Sequence, residues 1–67
     1  MEIGKLIKTK REQRGLSRKD LADAVGVKEA MIAHVENGHR GVSPKRAGAY
    51  EVALGIPKRD LCPEVFG

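Results

Sequence analysis

Two histidines, His34 and His39, and a single cysteine, Cys62, are the side chains best suited by type to ligate a metal or attack a substrate. Their spacing serves neither task. Metal centres draw their ligands at short, characteristic separations, and positions 34, 39 and 62 supply no such set. No serine, histidine and carboxylate fall into an arrangement for nucleophilic catalysis, and no Walker-type glycine-rich loop is present to cradle a phosphate. The chain therefore reads as a non-enzyme with no metal, no other cofactor and no small-molecule substrate. The lone cysteine excludes a disulfide scaffold and fits a reducing, cytoplasmic setting, with Cys62 acting as a small hydrophobe beside Pro63.

What the chain does carry is charge. Thirteen Lys and Arg against nine Asp and Glu leave a net charge of +4 on 67 residues. On so small a body that field points to a polyanionic partner. With Tyr50 and Phe66 as its aromatic residues, the chain lacks the stacking platforms that single-stranded nucleic acids need, so double-stranded DNA is the expected partner. A chain of this length forms one small domain, 1–67, and buries only about 60% of its unfolded surface. No apolar run approaches the roughly 18 residues of a membrane span, and the opening Met-Glu-Ile-Gly does not read as a signal peptide.

The elements that must position these charges are helices. Residues 3–14 place Ile3, Leu6 and Ile7 on one face among lysines and arginines, and Gly15 closes the segment. Ser17, with Asp20 three residues on, approximates a capping box for a second short helix whose inner face is Leu21, Ala22 and Val25. A third stretch, Lys28 to Asn37, sets Met31, Ile32 and Val35 on one side. Ser43-Pro44 has the form of an N-cap followed by a first-turn proline, and the helix it opens runs to about Leu54 with Ala47, Tyr50, Ala53 and Leu54 inward. One more turn is expected at Lys58 to Leu61, with Leu61, Val65 and Phe66 covering the bottom of the core. The fold class is all-α, a compact bundle of four to five short helices.

Within it, 18–37 is two short helices joined at Gly26, where the turn needs a left-handed residue. Ala22 lies where the helices must approach closely, and Val27, Ile32 and Val35 anchor the second against the first. This is the spacing of a helix-turn-helix, whose second helix enters the major groove.

Residues 3–56 resemble the Cro/C1-type (XRE) helix-turn-helix family through Arg11, Gly15-Leu16-Ser17, Leu21-Ala22, Gly26-Val27, Ile32 and Glu36-Asn37-Gly38. The closing Arg59 to Phe66 resembles, more faintly, the ends of short phage and mobile-element regulators. The resemblance implies a lambda repressor-like DNA-binding domain and assigns roles. Lys28, Glu29 and Ala30, with His34 one turn on, would face base edges: Lys donates to guanine, Glu accepts from cytosine, and an alanine methyl packs on that of thymine. Asn37, His39, Arg40 and Lys45 would meet phosphates, helped by helix N-termini, and Ser17 belongs to the DNA-binding set. Arg18, where the family commonly has glutamine, would brace the backbone or reach a guanine. Arg11 and Glu36 match a partly buried structural ion pair, and Arg46 is expected to be solvated or near a dimer interface. Two positions depart from the pattern: Lys10 is usually apolar, and Glu51 usually small.

The resulting expectation is a transcriptional regulator, a repressor or autorepressor binding a palindromic operator as a homodimer. The rival is a protein-interaction module, an adaptor or antitoxin-like partner built on the same fold. Charge around the third helix favours the first; an apolar patch there would favour the second.

Overall fold

The serines and glycines that punctuate the sequence are where the helices start and stop. The structure, a computed structural model, describes residues 2–66, with side chains described for residues 2–65. Among them are six helices and no strand: α1 (Ile3–Gln13), α2 (Arg18–Val25), α3 (Glu29–Glu36), α4 (Pro44–Leu54), α5 (Lys58–Leu61) and α6 (Pro63–Phe66). The capping box at α2 is complete: Ser17 Oγ accepts from the Asp20 amide at 3.0 Å, and the Ser17 amide donates to Asp20 Oδ2 at 3.0 Å. Ser43 occupies the N-cap of α4 without a side-chain cap bond, so Pro44 alone marks that start.

Packing follows the predicted faces. Ile7, Leu21, Ile32, Leu54 and Ile56 are fully buried, and Ala22, Val25, Val35, Ala47 and Tyr50 join them. Helix α2 lies against both α3 and α4, and α1 packs on α3 and more lightly on α4. Gly4 permits the α1–α3 approach. A Cβ there would sit 2.5 Å from the carbonyl oxygens of both Val35 and Glu36, nearer than such atoms can come.

The tail differs from expectation. A second turn, α6, follows α5, which gives six helices rather than four or five. Cys62 leaves the helical region at φ −135°, ψ 69°, as residues before proline are pushed to do, and Pro63 opens the new turn from the first helical position. That restart turns Val65 outward. Leu61 is buried, whereas Val65 is 58% exposed and does not cover the core. The side chain of Phe66, also expected there, lies outside the described residues. Glu51, one of the two departures from the family pattern, accepts from the Lys58 amide at 3.1 Å and so caps α5.

Candidate nucleic-acid interface

Helix α3 is held by its inner face and its two ends. Ile32, Val35 and Glu36 are buried, while Glu29, Ala30 and His34 are exposed on the opposite side. Lys28 stands at the N-cap, exposed and without a side-chain cap bond. A lysine there opposes the helix dipole and cannot cap the amides, so its ammonium projects from the start of α3. Asn37 is the C-cap, and the loop beyond it carries His39 and Arg40, both exposed. His34 and His39 are neighbours, with ring centroids 6.0 Å apart, and the His39 amide donates to the His34 carbonyl at 2.9 Å. Lys45 is exposed on the first turn of α4.

The cations around α2, α3 and the start of α4 fall into two groups. Arg11 Nε lies 2.6 Å from Glu36 Oε2, and Arg11 Nη1 donates to the Leu16 carbonyl at 2.8 Å. One guanidinium therefore ties α1, the turn before α2 and the end of α3. The bond to Glu36 raises the Arg11 pKa above its ordinary value, against the opposing effect of burial. Arg18 is part of the same cluster, with Nε 3.1 Å from Glu36 Oε1 and its side chain 39% exposed. Its brace is thus an internal carboxylate. Arg46, expected to be solvated or near a dimer interface, is exposed, and its Nη1 also donates to the Val25 carbonyl at 3.1 Å, closing the end of α2. By contrast Lys28, Arg40 and Lys45 have no ion-pair partner among the described residues.

Ser17 is exposed at the head of α2, its oxygen engaged by the Asp20 amide. The Asp20 carboxyl is held below its ordinary pKa first by the Ser17 amide and then by the Ser17 hydroxyl. Near Glu29, Lys19 adds a charge that the sequence reading left out; it bonds Asp23 at 3.0 Å. Cys62 is buried, its thiol donating to the Val42 carbonyl at 3.1 Å, and burial pushes its pKa up. No three His, Cys, Asp or Glu side chains converge on a metal-sized site among the described residues. No helix among them is long and apolar enough to cross a membrane.

Two short helices across a left-handed glycine (Gly26, φ 85°), the second with an exposed outer face flanked by unpaired cations, define a helix-turn-helix. The family model described as helix-turn-helix matches residues 7–61, and the chain belongs to that family, in its Cro/C1-type branch. Membership of this family, with the solved relative below, supports a DNA-binding regulator of transcription. Among solved structures, the restriction-modification controller protein C.AhdI from Aeromonas hydrophila superposes with a TM-score of 0.79 at 32% identity, covering 90% of this chain and 91% of its own. Among curated proteins, endothelial differentiation-related factor 1 of Homo sapiens is 36% identical over 59 residues, and its Gallus gallus homolog 34%. The match takes in 88% of this chain, which spans about two fifths (40%) of the length of those relatives.

Proposed function

We propose that this protein is an operator-binding regulator that places α3 in the major groove of duplex DNA and acts as a homodimer in the cytoplasm. Lys28, Glu29, Ala30 and His34 contact base edges. Asn37, His39, Arg40 and Lys45 contact phosphates, joined by the Ser17 hydroxyl and by the N–H groups of Arg18 that Glu36 leaves free. The observation that carries this reading is the division of cations: those beneath α3 are consumed internally, and those at its two ends and on the first turn of α4 are unpaired. Occupying the operator excludes polymerase, so the simplest action is repression, including of the protein's own operon. The solved relative, a restriction-modification controller protein, supports the regulatory part of this reading.

One helix reads only about four base pairs, too few for specificity in a genome, so two copies on half-sites about 34 Å apart are required. Val52, 83% exposed on α4, and Val65, 58% exposed on α6, supply exposed apolar side chains for that pairing. The test is selection from random duplexes near physiological salt, followed by sequencing. Enrichment of a palindrome with half-sites one helical turn apart is the expected result. An unenriched pool, with a protein partner bound independently of salt, would replace this reading with that of an interaction module.

A further inference from the structure

Beside α3 lies a cleft that the proposed function leaves unused. Val27, Met31, Val35 and Tyr50 form its apolar wall, and it encloses about 190 Å³. An apolar cavity of about 150 Å³ accommodates benzene, so the space suits one ring with a small substituent.

Its polar side is cationic. Arg40 and Arg46 both line the cleft, with no carboxylate among the lining residues. Arg46 uses Nη1 on the Val25 carbonyl, which leaves its other N–H groups unengaged. Arg40 has no partner among the described residues. A second observation points inward. Tyr50 is only 2% exposed, yet its hydroxyl has no hydrogen-bond partner among the described residues. No sealed side-chain polar atom lacks a partner, so this oxygen is not sealed, and the cleft is the opening that Tyr50 lines. With no protein partner among them, the oxygen is free to bond a molecule that enters the cleft.

We infer that the cleft is a binding site for a small monocarboxylate with an apolar body of benzoate size. The body rests on Val27, Met31 and Val35, the carboxylate pairs with Arg40 and the unengaged N–H groups of Arg46, and the Tyr50 hydroxyl donates to a carboxylate oxygen. On the operator-binding reading, on which this consequence rests, Arg40 also serves a phosphate. Acid in the cleft then withdraws that contact, and by linkage DNA weakens the acid by the same factor.

The test is titration of benzoate into the ¹⁵N-labelled full chain without DNA. Saturable amide shifts confined to residues around the cleft are expected. Arg40→Gln should weaken binding about tenfold, the size of one lost charge-assisted hydrogen bond. Tyr50→Phe should weaken it several-fold while the melting temperature holds. Benzyl alcohol, similar in size but uncharged, should bind about as weakly as benzoate binds Arg40→Gln. Shifts that rise linearly without saturation, or an Arg40→Gln variant that binds benzoate as tightly as the parent, would overturn the site. Duplex affinity measured without benzoate tests the operator reading separately. Saturable benzoate binding that leaves duplex affinity unchanged supports the site and overturns the antagonism.

Discussion

Glu36 is fully buried on its side chain and faces two guanidiniums, Arg11 at 2.6 Å and Arg18 at 3.1 Å. Such a cluster is weak evidence for net stability, since burying Arg11 and Glu36 costs much of what their attraction returns. Breaking it is another matter, because Glu36 would remain in the core with only the part-exposed Arg18 to face it. Arg11→Ala should therefore lower stability by about 3 kcal/mol. For a chain of this size that is a melting temperature roughly 15 °C lower by circular dichroism, with DNA affinity falling only as the folded fraction falls. The outward residues should behave oppositely. Lys28→Ala or His34→Ala should leave the melting temperature nearly unchanged and cost about 1–3 kcal/mol of preference at one base position, read by repeating the selection with each variant. The Arg11–Glu36 pairing was accessible from the sequence only through the family resemblance, as the residues are 25 positions apart. That Arg18 shares the carboxylate was not accessible, because its position reads equally as a brace or as a reader.

At the scale of elements, most helix limits were legible because they are set locally. Gly15, Gly26 and Gly55 all adopt positive φ just beyond a helix, and Ser17 with Asp20 caps α2. What sequence could not reveal are the contacts one helix makes with another's backbone. Gly4 inside an amphipathic helix carries no spacing signal; its meaning comes from the Val35 and Glu36 carbonyls across the interface. Gly4→Ala should thus invert the usual rule. The change would stabilise an isolated helix by about 1 kcal/mol, but here it should destabilise by about 2 kcal/mol through overpacking, measured by urea denaturation. Arg46 on the Val25 carbonyl and Glu51 on the Lys58 amide were hidden for the same reason. The capping box adds a pH signature. The folded state holds the Asp20 carboxyl below its ordinary value of 3.8. Its contribution is present at neutral pH and is lost as pH falls below about 4 through the folded value. Asp20→Asn should flatten that acid limb in a series of thermal melts at stepped pH.

At the scale of the whole molecule, the body measures only 28 × 22 × 22 Å. Its cations include internal ties, an unpaired set around α3, and further lysines on α1 (Lys5, Lys8 and Lys10) that have no ion-pair partner among the described residues. The net positive charge and the sparse aromatics were readable from composition and pointed to duplex DNA; which cations stay unpaired required the fold. Neutralising six phosphates per bound unit should give a log–log salt dependence of slope about −5, and Lys45→Ala should reduce that slope by about 1 without altering the preferred sequence. Fluorescence anisotropy across a range of potassium chloride concentrations measures both.

The attachment of α3 has a bearing on how such a protein can change over generations. Glu29, Ala30 and His34 take no part in the side-chain bonds that anchor the helix, since those run through the buried Ile32, Val35 and Glu36 and through Gly4 opposite them. Exchanges at the outward positions stay within the small range typical of surface substitutions and do not push a thin core toward its threshold of collapse. On the operator-binding reading, single exchanges at these positions would move the preferred sequence step by step, each intermediate still folded, while the residues beneath α3 remain fixed.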